Sequence, residues 1–263
     1  MNLLDFRNVC VAVAIGSLAS GEDATKGSSA AELASRLSAM RQDGTSSIRM
    51  RMEIRGESKT NLQLLVKQRR TKDTSEVVYQ VLWPKERKGE AVLLRKSGNG
   101  STTGAHFIPP NTVKTIGDAS EPLFGGDLAY EDIVDNFFAW DQQAIVGNEV
   151  VDGVECQILE SKPGKANSIY GSVKTWVDPR RAVPLRVEKF SSSGKVIRRI
   201  DTLRVVPSDG RQIPSNLSVR GPGKGDGTIL DGSKIRHDVK FADREFTPEG
   251  LKEAPAAGAA GAE

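Results

Sequence analysis

The sequence predicts a mainly β protein with helices (α+β), built as a long, curved antiparallel sheet against which one or two helices pack. Three observations predict it. Apolar and polar residues alternate through much of the chain, turn-forming residues recur at short and even intervals, and helical spacing appears in two places only. Helical segments do not alternate with the strand-like runs, so a parallel α/β sheet is not expected.

The chain has 263 residues, a length that one large β-rich domain can use. Residues 1–19 read as a cleavable export signal. A short polar lead containing Arg7 precedes an apolar or small run from Val9 to Ala19, and Ser17-Leu18-Ala19 supplies the small-x-small ending that signal peptidase needs. This run of about 11 residues is shorter than the roughly 20 helical residues that span a bilayer. Residues 20–29 read as a flexible spacer, residues 30–253 as one domain, and the Ala, Gly, Pro and Glu of 254–263 as a disordered tail.

The domain opens with a helix. Ala30, Leu33, Ala34, Leu37 and Met40 follow helical spacing, with Ser28 or Ser29 as cap and Asp43-Gly44 as stop. In the first strand Ile48, Met50, Met52 and Ile54 alternate with Arg49, Arg51, Glu53 and Arg55, and Leu62, Leu64 and Val66 repeat the pattern. Further strands are predicted near 76–83, 90–96, 104–108 and 112–116, punctuated by Pro84 and Pro109-Pro110. Phe124-Gly-Gly-Asp127 then interrupts the β pattern and introduces a short acidic helix near Asp127. Strands resume at about 142–151, 154–161, 169–177, 184–190, 195–205, 212–219 and 234–241, with Asp152-Gly153, Ser193-Gly194 and Asp209-Gly210 suited to hairpin turns. An open sheet of so many strands curls on itself. Its concave apolar face is one that the helices are expected to fill only in part, which invites an apolar ligand.

Composition excludes several classes of function. Charged residues make up 27% against 38% hydrophobic, which leaves much of each strand facing water. The net charge of +3 arises from 37 basic and 34 acidic residues, and basic pairs occur at Arg69-Arg70 and Arg198-Arg199, each with at least one member expected in solvent. That is no concentrated basic face, and no nucleic-acid partner is expected. His106 and His237 give too little material for a histidine triad or a multi-histidine metal site. Cys156, alternating with Val154 and Ile158, reads as a buried, inert thiol. Gly221 to Gly227 lacks the ending of a phosphate loop and reads as a mobile hairpin. Asp127, Glu131, Asp132 and Asp135 suit the start of a helix, where a carboxylate caps free amides, better than a cation site. No catalytic constellation, cofactor or metal is predicted. The aromatic set of Trp83, Phe107, Phe137, Phe138, Trp140 and Trp176 fits either core packing or the wall of a lipid cavity.

Several motifs occur in a telling order. Trp83-Pro-Lys-Glu-Arg87-Lys-Gly89 enters the run Glu90 to Leu94, followed by Phe107-Ile-Pro109, by Phe124-Gly-Gly-Asp127 with Tyr130-Glu-Asp132, and by Gly153-Val-Glu-Cys156, Trp176-Val-Asp178 and Pro184-Leu-Arg186-Val-Glu188. Together, over about 80–250, they resemble the outer-membrane lipoprotein-sorting proteins, the broad family related to the periplasmic lipoprotein carrier LolA and its receptor LolB. The chain departs from the family pattern at Leu128, where the family has an aromatic residue, and at Gly126, where it has Ser or Thr. The resemblance implies an unclosed β-barrel with a helical lid and a hydrophobic cavity for acyl chains.

The expectation is a periplasmic, monomeric, non-enzymatic protein that binds lipid or lipoprotein acyl chains. Its partners would be an inner-membrane transporter or an outer-membrane receptor. Candidate cavity residues are Ile48, Met50, Met52, Leu64, Trp83, Phe107, Phe137, Phe138, Trp140 and Trp176. The rival expectation is an envelope sensor of the same fold that binds a membrane-protein partner.

Overall fold

The computed structural model describes residues 29–41, 44–208, 210–222 and 226–253. The predicted signal at 1–19, the predicted tail at 254–263 and all of the predicted spacer except Ser29 lie outside the described residues.

Helix α1 (Ala30–Arg41) starts where the sequence places it. Ser29 and Glu32 form a capping box: the Ser29 amide donates to Glu32 Oε2 at 2.8 Å and the Glu32 amide to Ser29 Oγ at 3.2 Å. Thirteen strands follow among the described residues: β1 (Gly44–Arg55), β2 (Lys59–Arg70), β3 (Thr74–Trp83), β4 (Ala91–Ser97), β5 (Thr103–Ile108), β6 (Thr112–Ile116), then β7 (Gln142–Val151), β8 (Val154–Lys162), β9 (Ser172–Asp178), β10 (Val183–Phe190), β11 (Val196–Ser208), β12 (Arg211–Arg220) and β13 (Gly227–His237). Between β6 and β7 lies the short helix α2 (Tyr130–Val134).

All thirteen strands form one antiparallel sheet in the order β6-β5-β4-β3-β2-β1-β13-β12-β11-β10-β9-β8-β7. Two meanders, β1–β6 and β7–β13, are thus joined through the pairing of the first strand with the last. Because β6 and β7 remain edges, the sheet curves without closing into a barrel. Register shifts at Ile48/Arg49, Gln63/Leu64, Ile145/Gly147 and Lys189/Phe190 supply the bends that a uniform ladder would resist. The β7–β8 hairpin turns on Asp152 and Gly153, both at positive φ, as the two-residue turn of a twisted hairpin requires.

Two faces result. The inner one carries Met52, Leu64, Val77, Tyr79, Val92 and Leu94 in the first meander and Leu159, Val173, Val177 and Val187 in the second. The outer face has its own patches. Phe246 and Leu251 of the C-terminal segment cover Ala91, Leu93 and Phe107, and Cys156 and Trp176 pack with Val151, Val183 and Leu185.

Three expectations change. The predicted strand 169–177 starts at Ser172, because Tyr170 turns into the interior instead of joining the ladder. The predicted strand 234–241 is β13 and runs from Gly227 to His237, pairing with β1 and β12 from its first residues. The helix predicted near Asp127 starts at Tyr130.

Candidate functional site

The inner face is covered in two parts. Residues 117–134 lie over the first meander, where Leu123, Phe124, Leu128, Tyr130, Ile133 and Val134 meet Met52, Leu62, Leu64, Val81 and Leu94. Over the second meander, α1 contributes Leu33, Ala34 and Leu37, and a helical turn contributes Phe137, Phe138 and Trp140. The concave face is therefore filled more completely than sheet curvature alone predicts, and a single segment, 117–141, supplies most of the filling.

Local features fix how this segment lies. Phe124 adopts a left-handed backbone (φ 52°), unfavourable for a bulky residue, and Gly125 follows at φ 85°. The Arg87 guanidinium stacks 5.5 Å from the Phe124 ring centroid. A Cβ on Gly126 would come within 2.4 Å of the Met52 methyl and 3.0 Å of Thr228 Oγ1, so any larger residue there requires the Met52 side chain to move. Asp127 does not cap α2. Its carboxylate accepts from the Gly221 amide at 3.0 Å and from Thr228 Oγ1 at 2.8 Å, tying the segment to the β12–β13 hairpin. The Asp132 side chain takes the capping role, accepting from the Ala129 amide at 2.8 Å. Downstream, Gln143 Nε2 donates to the carbonyls of Phe137 and Trp140, each at 3.0 Å.

Beneath α2 lies a buried charge network that sequence reading missed. Asp132 accepts from Lys189 Nζ at 2.6 Å, Arg198 Nη1 at 2.8 Å and the Tyr170 hydroxyl at 2.5 Å. Burial pushes the Asp132 carboxyl up, but Lys189 and Arg198 outweigh it and hold it below the usual carboxylate range. Tyr170 is driven strongly upward, by burial first and then by Asp132. One residue before Asp132, Glu131 accepts from Lys96 Nζ at 2.8 Å and from Thr102 Oγ1 at 2.6 Å. Lys96 also reaches Asp135 Oδ1 at 2.9 Å, so one ammonium serves two carboxylates. Burial pushes Asp135 up, and Lys96 only partly opposes it. The signal for this network was parity: Lys96 continues Val92 and Leu94, and Lys189 continues Val187, onto the inner face. Of the basic pair, Arg198 turns inward, while Arg199 is partly exposed and pairs with Asp201 at 2.9 Å.

A cavity of about 650 Å³ opens between α1, the β2–β3 turn and residues 134–141. Ala34, Phe138 and Trp140 line it on the apolar side, and Arg70, Lys96 and Asp135 on the polar side.

The structure distributes the candidate lipid-binding residues. Met52 and Leu64 are buried under the 117–134 segment, with Ile48 and Met50 packed at its margin. Phe137, Phe138 and Trp140 gather beside α1, and the last two line the cavity. Phe107 and Trp176 lie on the outer face, because Phe107 pairs with Ala91 and Trp176 with Ile158, both of outward parity. Trp83 follows Val77, Tyr79 and Val81 but stands past the register shift at the end of β3, and it is 50% exposed. His106 Nε2 lies 2.9 Å from Glu90 Oε1, and Cys156 is free and buried, its thiol pushed up by burial.

A family model described as an uncharacterized protein matches residues 73–253. No curated protein matches the chain by sequence. Among solved structures, a DUF1329 family protein from Desulfovibrio piger superposes with a TM-score of 0.77 at 22% identity, covering 84% of this chain and 97% of that one. An outer membrane lipoprotein-sorting protein domain from Vibrio parahaemolyticus gives 0.76 at 22% identity, with 85% and 98% covered. A LolA superfamily protein from Nitrosomonas europaea gives 0.68 at 18% identity, with 84% and 98% covered. The fold of the LolA superfamily is shared over nearly all the length of these chains.

Proposed function

We propose that this chain, which belongs to the family whose model spans residues 73–253, is a non-enzymatic carrier that shields acyl chains inside its curved sheet. The observation that carries this reading is that the inner apolar face is covered by the segment 117–141 and α1, not by a second sheet. A covering made of loop and helix can be displaced as a lid without breaking a strand pair. An acyl chain would then take the place of Leu123, Phe124, Ile133 and Val134 against Met52, Leu64 and Leu94. Each methylene kept from water is worth ~0.8 kcal/mol, so a chain of about fourteen contributes roughly 11 kcal/mol toward displacement.

The likeness to a lipoprotein-sorting domain supports the same reading, as does the predicted export signal, and together they suggest the periplasm as the site of action. Ile48, Met50, Met52, Leu64, Phe137, Phe138 and Trp140 would form the wall after displacement, and Trp83 would stand exposed at the end of β3. Phe107 and Trp176 would support the wall from behind. The chain would act as a monomer between a membrane donor and a membrane acceptor.

Gentle isolation from the cell envelope followed by mass spectrometry tests this. Acyl lipid should leave with the protein at close to one mole or more per mole. A protein that emerges bare and stays bare after incubation with envelope lipid would refute the carrier reading.

A further inference from the structure

The cavity beside α1 has a chemistry that the acyl-chain reading does not use. Asp135 lines it, is 2% exposed, and has Oδ2 without a hydrogen-bond partner among the described residues. The adjacent Asn136 also lines it, and its Oδ1 is likewise without a partner, while its Nδ2 donates to Ser38 Oγ at 2.9 Å. Buried acceptors left unmatched are costly, and more so when charged. Asp135 meets the Lys96 ammonium, which it shares with Glu131, through Oδ1, and that leaves Oδ2 unmatched.

We propose that this cavity binds a primary ammonium group, donating to Asp135 Oδ2 and Asn136 Oδ1, with an attached phosphate meeting Arg70 and Lys72. A primary ammonium carries three donors and no acceptor, so it can serve both neighbouring unmatched acceptors. A hydroxyl supplies one donor and no charge, and a quaternary ammonium supplies charge without a donor. Arg70 is anchored on the inner wall by its bond to the Ile133 carbonyl at 2.8 Å, and Lys72 is exposed in the β2–β3 turn. The opposite wall, with Ala34, Phe138 and Trp140, suits the apolar remainder of such a ligand. The ligand class is an aminoalkyl phosphate, either as the headgroup of a lipid or as the free compound. The inference deepens the carrier reading and rests on it only for the lipid source.

Calorimetric titration of the unaltered chain tests the proposal with three probes: soluble short-chain phosphatidylethanolamine, the matching phosphatidylcholine, and free phosphoethanolamine. The ethanolamine lipid should bind about tenfold or more tightly than the choline lipid. Preference for the lipid over free phosphoethanolamine assigns the site to a headgroup, and equal affinity assigns it to the soluble compound. Asp135→Asn should abolish the ethanolamine preference, and Lys72→Gln should weaken both lipids alike. Equal binding of the ethanolamine and choline lipids, or no binding of any probe, overturns the proposal. That comparison needs no variant, so a substitution that fails to fold leaves it intact. Fatty-acid uptake without headgroup discrimination would sink this inference and leave the carrier reading standing. Phosphoethanolamine binding without fatty-acid uptake would do the reverse.

Discussion

The Lys189 ammonium lies 2.6 Å from the Asp132 carboxylate, with both side chains almost wholly removed from water. The pair joins α2 to β10, and Arg198 joins it from β11 at 2.8 Å. The covering segment is therefore tied by buried charge to both meanders, through Asp132 to the second and through Glu131 and Asp135 with Lys96 to the first. Desolvated ion pairs of this kind add little net stability over an apolar replacement, but they penalise a half-broken state heavily.

Asp132→Asn should accordingly destabilise the protein by about 3–5 kcal/mol, since it leaves Lys189 and Arg198 buried without a counter-charge. Urea unfolding checks this. Asp132→Asn combined with Lys189→Met should cost less than the sum of the two single changes, as coupled residues do.

Asp135→Asn should behave in the opposite manner. Burial raises the Asp135 carboxyl, so its ionised form is disfavoured in the folded chain at pH values above the ordinary carboxylate range. The same urea experiment at neutral pH should show a change within about 1 kcal/mol, or a gain, as for residues that serve a site at the expense of stability.

Glu90 sets a pH dependence. Burial pushes its carboxyl up, but hydrogen bonds from His106 and Arg87 prevail and bring it down to about 2. Because the folded value lies below the unfolded one, its contribution is fully present above the ordinary glutamate range near ~4.3. That contribution is lost as pH falls through about 2. Unfolding free energy measured from pH 6 downward should fall more steeply for the unaltered chain than for Glu90→Gln.

The two faces make separable predictions for the aromatic residues. Phe138→Ala, at the cavity wall, should weaken fatty-acid binding about tenfold or more while also costing stability. Phe107→Ala, on the outer face under Phe246, should cost about 3–5 kcal/mol of stability with little change in affinity where the variant remains folded. Parallel melting and binding curves distinguish the two.

Much of the fold was legible because strand parity is a strong signal. The alternation from Ile48 to Ile54, the glycine turns and the Ser29 cap all locate real elements. What parity could not reveal was which face of each strand met which neighbour. Phe107 and Trp176 are as apolar as Phe137, yet they face outward, because a one-residue offset reverses the face and the C-terminal segment supplies cover there. The acidic run at 131–135 was read as local helix chemistry since its partners are distant in sequence: Lys189 is 57 residues from Asp132 and Arg198 is 66. Inward-facing lysines on strands otherwise built from valine and leucine were the available clue.

The central claim is that the segment 117–141 gives way to an acyl chain. Titration of the full chain with a fluorescent fatty acid, with tryptophan emission followed in parallel, tests it most directly, because Trp140 lines the cavity. Saturable binding with a Kd of about 10 μM or below, quenching Trp140 and lost in Phe138→Ala, is the predicted result. Emission that stays flat, with no saturable uptake at any accessible concentration, would contradict it.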